Sequence, residues 1–211
     1  MLAGMLRVLV VALVVLVAAM FLLPRPDRGA PPQVATLLPE PRVLADVRFV
    51  GTDGGEVRLH ELGGNFTLLF FGFTNCPDVC PLTLAMLAEA RAEIVRRAPR
   101  FVPRVLFVSV DPNRDTPERI RAYLQGFDPE FEGVTAADAE LTPLLTALGV
   151  AVERHEHGGD DYTVVHNSAI YVLDREARWI AVTTGPHDPK VVAADFLAVR
   201  RRTPGGPPPD A

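Results

Sequence analysis

Cysteine and lysine are scarce in this sequence of 211 residues, and their scarcity excludes some kinds of metal site and binding partner. Only two cysteines are present, which excludes a structural zinc site with four cysteine ligands. Lys190 is the one lysine, the formal net charge is −5, and nothing in the pattern of basic residues suggests nucleic-acid binding. No internal repeat is evident. The composition, 48% hydrophobic and 22% charged, is typical of one globular domain with an additional apolar segment.

The two cysteines, Cys76 and Cys80, lie four residues apart where a strand is predicted to end and a helix to begin. Residues 66–73 form an apolar run typical of a buried central strand, and residues 82–97 carry apolar side chains at helical spacing. A helix start offers unpaired N–H groups and the positive end of the peptide dipoles, which favour thiolate. We expect this effect to be greatest at Cys76. A stabilising disulfide is a weaker interpretation, because closing so short a loop contributes only about 2 kcal/mol.

Two thiolates are soft ligands that select Cu(I), zinc or iron–sulfur clusters. Their spacing is wider than the Cys-x-x-Cys of thioredoxin-type redox pairs and leaves room for an ion between the sulfurs. Because structural zinc takes four protein ligands, two sulfurs with one imidazole suit three-coordinate copper better. His166 is the best-placed imidazole, since it lies in a strand-like stretch, residues 162–173. A hydrogen-bonded structural role for His166 is equally compatible with its position.

The other histidines are weaker candidates. His155 and His157 lie two residues apart beside a glycine-rich turn, which favours a solvated hairpin tip over an accessory metal site. His187 precedes a helix-start signal and is either a loop residue near the site or without a role. His60 lies in an early hairpin and is given no role.

Three blocks of the sequence resemble the SCO/SenC family of copper-binding assembly factors. They are residues 71–81, which contain both cysteines, residues 108–118, and the histidine-bearing stretch 162–173. The resemblance covers roughly residues 43–200 and implies an α/β, thioredoxin-like fold, in which helices flank a central mixed sheet. One departure is Val165, because many members carry an acidic residue directly before the histidine, and a neutral flank alters the hydrogen bonding around the ligand.

The same resemblance implies that Cys76, Cys80 and His166 bind copper, as Cu(I) or Cu(II), and that the protein helps to build the CuA centre of cytochrome c oxidase. The implied partners are the oxidase subunit that carries CuA and other copper carriers. Asp111 and Arg114 are candidates to support the ligands, because they follow the next parallel strand and should lie at the same sheet edge. Ordinary turn and capping chemistry is the alternative for both residues.

Residues 8–23 form an unbroken apolar run, which as a helix spans about 24 Å of the roughly 30 Å of a bilayer core. An uncleaved transmembrane anchor is favoured over a cleaved signal peptide, because no small-x-small cleavage site follows the run. We therefore predict a membrane anchor at 1–23, a proline-rich tether at 24–42, a globular domain at 43–202 and a disordered tail at 203–211. By resemblance, the domain is anchored to the inner membrane and faces the periplasm or an equivalent extracytoplasmic space.

Hydrophobic periodicity and turn residues also predict the order of elements. They predict a hairpin of residues 46–50 and 56–59, strands at 66–73, 104–110, near Val134, 150–154, 162–173 and 179–184, and helices at 80–97, 117–126, 139–148 and 189–201. Thr116, Asp138 and Asp188 are the predicted N-caps of the last three helices.

Three functions remain open from the residues alone. The first is a copper carrier that passes its ion to a partner by ligand exchange. The second is a thiol–disulfide oxidoreductase, in which Cys76 and Cys80 are catalytic and reduce the cysteines of a target. The third is a peroxidase or redox sensor, in which Cys76 attacks peroxide and Cys80 resolves the product. Copper delivery requires His166 as a ligand, whereas simple disulfide exchange does not.

Overall fold

The computed structural model describes residues 12–13, 30–158, 161–185 and 188–203, and the side chains of residues 156–158 and 161 lie outside this description. The strands in these residues are β1 Thr36–Arg42, β2 Arg48–Gly51, β3 Glu56–Arg58, β4 Thr67–Gly72, β5 Arg104–Ser109, β6 Glu132–Thr135, β7 Val152–Gly158, β8 Asp161–His166, β9 Ile170–Leu173 and β10 Trp179–Thr183. The helices from residue 30 onward are α1 Val79–Arg97, α2 Pro117–Leu124, α3 Asp138–Leu148 and α4 Pro189–Arg202, with a short 3-10 helix at Leu59–Leu62.

Eight of these strands form one mixed sheet in the order β1-β10-β9-β4-β5-β6-β2-β3. All of β4 is buried, as a continuous apolar run predicts for a strand covered on both faces. β4 and β5 are parallel, with Thr67 paired to Arg104 and Gly72 paired to Ser109, whereas β9 runs antiparallel to β4 on the other side. The predicted α/β fold with a central mixed sheet is confirmed, and β4 and β5 end at the same edge as predicted.

Two of the three predicted helix caps are present, at α2 and α4. α1 packs against α4, and the ring of Phe101 stacks on Phe196 at 5.7 Å and meets Phe66 edge-on at 5.8 Å. Thr116 caps α2, since its hydroxyl accepts the N–H three residues later at 3.3 Å. Asp188 caps α4, since its carboxylate accepts the N–H two residues later at 2.9 Å. Both predicted caps are confirmed.

The predicted cap of α3 is wrong. The helix begins at Asp138 itself, the preceding Ala137 occupies the N-cap position, and no side chain caps this end. The Asp138 carboxylate instead accepts a hydrogen bond from Arg154 Nη2 on β7 at 2.8 Å. That partner is remote in sequence, so local signals around Asp138 could not reveal it.

The stretch 162–173, predicted as one strand, is two strands in two different sheets. β8 pairs with β7 in a separate two-stranded sheet, which we call the β7–β8 ribbon, whereas β9 belongs to the main sheet. Between them, the side-chain oxygen of Asn167 accepts the N–H of Ala169 at 3.3 Å, a local turn that competes with the strand ladder. His166 therefore ends a strand, whereas the sequence interpretation placed it at the start of a long core strand.

Backbone hydrogen bonds from residues 33–35 attach the segment before β1 to α4. The buried carboxylate of Asp195 on α4 accepts the backbone N–H groups of Gln33, Val34 and Ala35 at 2.6, 2.7 and 2.8 Å. Residues 36–42, the last part of the predicted tether, then form the edge strand β1 and pair antiparallel with β10.

The predicted anchor and tail fall mostly outside the described residues, which include only 12–13 of residues 1–23 and only 203 of residues 203–211. Within the part of the chain that the structure describes, no helix has the length and hydropathy needed to cross a bilayer.

Candidate metal centre

Cys76 and Cys80 lie at the carboxyl end of β4, where the sequence predicts them. Cys76 is in the loop after the strand and is 9% exposed, and Cys80 is in the first turn of α1 with no exposed surface. The N–H of Cys80 points at the sulfur of Cys76 at 3.3 Å, so this sulfur satisfies one of the unpaired donors of the helix start. Both thiols are free.

α1 begins at Val79 and not at Cys80 as predicted, so Pro81 lies inside the first turn. A first-turn N–H has no intrahelical acceptor, and proline at this point therefore removes no helical hydrogen bond. Because Cys80 is already helical, the backbone of α1 fixes the direction in which its sulfur points into the domain.

The ring of His166 lies next to the sulfur of Cys80. Its Nε2 lies 3.7 Å from Cys80 Sγ, and its Nδ1 lies 2.6 Å from the carbonyl oxygen of Asn167. A carbonyl can only accept, so Nδ1 carries the hydrogen and Nε2 keeps its lone pair. The rings of Phe70 and Phe73 meet the imidazole edge-on at 6.3 and 5.9 Å. The ring is thus held with its unprotonated nitrogen toward Cys80.

The distance between Cys80 Sγ and His166 Nε2 fits one metal ion between them. With bond lengths as at zinc, about 2.3 Å to sulfur and about 2.0 Å to nitrogen, two ligand atoms at about 120° lie about 3.7 Å apart. The observed separation is 3.7 Å. As the described side chains stand, no three His, Cys, Asp or Glu residues form a closed metal-binding group. Cys76, whose sulfur faces the N–H of Cys80, must turn to complete a three-coordinate site.

Burial decides the protonation of this site. It raises the pKa of the Cys80 thiol far above its ordinary value, and the hydrogen bond with Cys76 adds to the rise. A helix start favours thiolate, an effect predicted to be greatest at Cys76, whereas desolvation of the charge is the largest influence on the Cys80 thiol. Burial also lowers the pKa of His166, which keeps the ring neutral and able to ligate at neutral pH. A metal ion must therefore displace a proton from Cys80.

An open cleft of about 250 Å³ gives access to the site. One wall consists of Phe73 and residues 76–79, and the other consists of residues 163–166 of β8. Val79 and Val165, which are 40% and 49% exposed, lie in opposite walls. Because β8 forms one wall of the cleft, the position of the β7–β8 ribbon determines the position of His166.

Asp111 and Arg114 lie together in the loop after β5, as predicted, and their hydrogen bonds reach the ribbon. Arg114 Nε donates to the fully buried Asp111 carboxylate at 2.6 Å, and Arg114 Nη1 donates to the carbonyl oxygen of Tyr162 at 3.0 Å. The hydroxyl of Tyr162 donates to the other oxygen of Asp111. The Arg114 guanidinium also lies 3.7 Å from the centre of the Tyr162 ring. These contacts attach β8 to the main sheet four residues before His166.

Asp115 is a residue of the site that the sequence reasoning missed. It is 1% exposed, and its carboxylate accepts the Ser109 hydroxyl at 2.6 Å, the Thr74 N–H at 2.9 Å and the Thr74 hydroxyl at 2.5 Å. Asp115 thus ties the loop after β5 to the loop that carries Cys76. The sequence signal for this role was that residues 108–118 contain Asp115 in addition to Asp111. An aspartate directly before a helix start is, however, typical of a turn, so its role at the site was not predicted.

The remaining histidines lie away from the cysteines or outside the description. His60 lies in the 3-10 helix after β3 and not in the hairpin as predicted, with its Nδ1 2.8 Å from Asp46, and the exposed His155 lies 3.5 Å from Glu153. The side chain of His157 and all of His187 are outside the described residues.

Comparison with known proteins gives consistent matches. Residues 36–200 match the family model described as SCO1/SenC. The SCO2-like protein of Rickettsia conorii is 29% identical over 179 residues, which cover 82% of this chain and 86% of that protein. The structure of Arabidopsis thaliana ScoI with copper bound has a TM-score of 0.68 and 30% identity, covering 75% of this chain and 97% of that one. Bradyrhizobium japonicum ScoI with copper bound has a TM-score of 0.64 and 34% identity, covering 73% and 97%.

Proposed function

The chain belongs to the SCO1/SenC family, and on that premise we propose that it binds copper, as Cu(I) or Cu(II), through Cys76, Cys80 and His166. It acts as a copper chaperone in the assembly of cytochrome c oxidase, at the CuA centre. Its partners are the oxidase subunit that carries CuA and other copper carriers. Two structures that it resembles at 30% and 34% identity contain bound copper, and two sulfurs with an imidazole are ligands that copper accepts.

One observation carries this proposal. His166 Nε2 lies 3.7 Å from Cys80 Sγ although 86 positions separate the two residues in sequence. The other ring nitrogen is occupied by the Asn167 carbonyl, so the nitrogen that faces the sulfur is the one free to ligate. In the metal-free chain the protonated Cys80 thiol can donate to this nitrogen, and copper takes the place of that proton.

The two sulfurs differ in exposure, and this difference predicts the order in which they are replaced when copper passes to a partner. Cys76, which is 9% exposed and borders the cleft, is the sulfur that an incoming ligand of a partner replaces first. Cys80 has no exposed surface and is therefore the last ligand to leave. Its proton leaves when copper binds and returns when copper departs, because the buried thiol is protonated without the metal.

The same proposal includes a membrane tether. Residues 1–23 anchor the chain in the inner membrane, and the domain faces the periplasm or an equivalent extracytoplasmic space. The unbroken apolar run of residues 8–23 supports this placement. A tether raises the local concentration of the domain near a membrane-bound oxidase subunit.

Copper titration of His166→Ala tests the proposal. The Cu(I) affinity from chelator competition, and the Cu(II) absorption of the purified chain, are compared with those of wild type and of His155→Ala. His155 is a matched control, because it is an exposed histidine of the same ribbon. We expect His166→Ala to lose more than about tenfold in affinity, since even residues that only orient ligands contribute this much. Unchanged affinity would remove His166 from the site.

Thiol–disulfide exchange is the second candidate, favoured by two free thiols of which one accepts the N–H of the other. The two functions separate in the same variants. His166→Ala should still reduce the disulfide of a target, whereas Cys76→Ser and Cys80→Ser should lose both activities. Tight copper binding by either serine variant would contradict ligation by two thiolates.

A further inference from the structure

Resting on the copper binding proposed above, we infer that Tyr162 is a positioning residue. It latches the β7–β8 ribbon over the cysteines and thereby sets how fast copper leaves the site.

Within the described residues, the ribbon pairs with no strand of the main sheet. His166 lies opposite Val152 at the base of the ribbon, and Tyr162 lies opposite Glu156 toward its turn. A two-stranded ribbon on its own is marginally stable. Its position over the sheet therefore depends on the side chains that attach it.

Among the ribbon side chains that the structure describes, Tyr162 makes an attachment close to the turn. Its hydroxyl donates to Asp111, its carbonyl oxygen accepts from Arg114 at 3.0 Å, and its ring lies under the Arg114 guanidinium at 3.7 Å. The receiving side is rigid, because Asp111 is fully buried and its own N–H donates to the Ser109 hydroxyl at 3.1 Å. The middle of the ribbon has separate attachments, which include the buried Val164 and the bonds from Arg154 to the Val110 carbonyl at 2.9 Å and to Asp138 at 2.8 Å.

We call the contacts of Tyr162 with Asp111 and Arg114 the latch. The latch affects the rate of copper release because the ribbon is one wall of the cleft. When β8 moves outward, Nε2 of His166 leaves Cys80 and the sulfurs become accessible to an incoming ligand. The ratio of closed to open ribbon sets the rate of ligand exchange, since only the open form exposes Cys80. A weaker latch should therefore release copper faster while both thiolates remain able to bind it.

Tyr162→Phe removes the hydroxyl contact and leaves the ring on Arg114 in place. Tyr123→Phe is the matched control, because its hydroxyl is buried without a hydrogen-bond partner in the described residues. Cu(I)-loaded full-length chains are mixed with bathocuproine disulfonate and followed by stopped-flow absorbance. We expect release from Tyr162→Phe to be about tenfold faster, as expected for one hydrogen bond to a buried carboxylate. Release from Tyr123→Phe should match wild type.

Amide hydrogen exchange of the metal-free chains gives a second readout. In Tyr162→Phe it should quicken in residues 152–166 and stay unchanged in β4 and β5, which a general loss of stability would not produce. Equal release rates for Tyr162→Phe, Tyr123→Phe and wild type would overturn the latch while leaving copper binding intact.

If wild type binds no copper, the proposed function fails, and the exchange measurement alone decides the latch, with unchanged exchange overturning it. If circular dichroism shows that Tyr162→Phe is unfolded, Asp111→Asn replaces it. That variant keeps an acceptor oxygen but removes the charge, and the same two outcomes apply.

Discussion

Replacing Asp115 by alanine should cost this fold far more than the loss of a surface carboxylate. Asp115 is 1% exposed and accepts three hydrogen bonds, two from Thr74 in the cysteine loop and one from the Ser109 hydroxyl. Alanine leaves all three donors without this acceptor. Ser109 is fully buried, so its hydroxyl cannot recover a bond to water, whereas Thr74 is half-buried and Arg119 already bonds its hydroxyl oxygen at 2.9 Å.

The expected loss in the free energy of unfolding is about 3 kcal/mol. A hydrogen bond to a charged group contributes about 1.5–3 kcal/mol, and the three bonds do not add fully because Thr74 regains contact with water. Removing the buried charge also returns part of its desolvation cost. We therefore weight the Ser109 bond fully and the two Thr74 bonds by about half.

Urea unfolding at neutral pH measures this loss, with Asp53→Ala as the control. Asp53 is an exposed turn residue whose carboxylate accepts the N–H of Gly55 at 2.9 Å, and its removal should cost less than about 1 kcal/mol. Copper affinity should also fall in Asp115→Ala, since the loop that carries Cys76 is no longer held. A loss of stability no larger than that of Asp53→Ala would refute the role of Asp115.

Two further predictions follow from burial at Cys80 and Asp195. Because burial raises the pKa of Cys80, copper must displace its proton, and the apparent Cu(I) affinity should rise at least about tenfold per pH unit through neutral pH, with one factor of ten for each thiol proton that copper displaces; an affinity independent of pH in chelator competition would contradict this. Asp195→Asn should quicken amide exchange in residues 33–42 without changing β4, because one amide oxygen replaces a carboxylate that accepts three N–H groups. Unaltered exchange in residues 33–42 would show that β1 pairing alone holds this segment.

Local sequence patterns were sufficient to predict the central elements of the fold. The apolar run of β4, the helical spacing of α1, and the caps Thr116 and Asp188 each depend on residues within a few positions. The placement of Cys76 and Cys80 at a strand-to-helix junction follows from the same information. The parallel pairing of β4 and β5 adds only the rule for strand–helix–strand connections.

Two predictions from local sequence patterns failed because one side chain makes a hydrogen bond that the pattern does not predict. Residues 162–173 are rich in β-branched and aromatic side chains, as a strand is, yet the side chain of Asn167 accepts the N–H of Ala169 in a turn that separates β8 from β9. Asp138 has the chemistry of a cap but bonds Arg154. The competing hydrogen bond is local at Asn167 and tertiary at Asp138, so the local pattern alone could not choose between the alternatives.

Hydrophobic periodicity and helix caps act over a few residues, so the sequence was enough to identify the chemical groups of this protein and to locate its core strand and the helix that carries Cys80. Three features depend on the tertiary structure: His166 meets Cys80 across 86 positions, Asp115 joins two loops, and Tyr162 bonds Asp111. The burial that raises the pKa of the Cys80 thiol is also a product of folding. The physical reason is that desolvation and long-range hydrogen bonds depend on what folding brings together, and the local sequence does not record this.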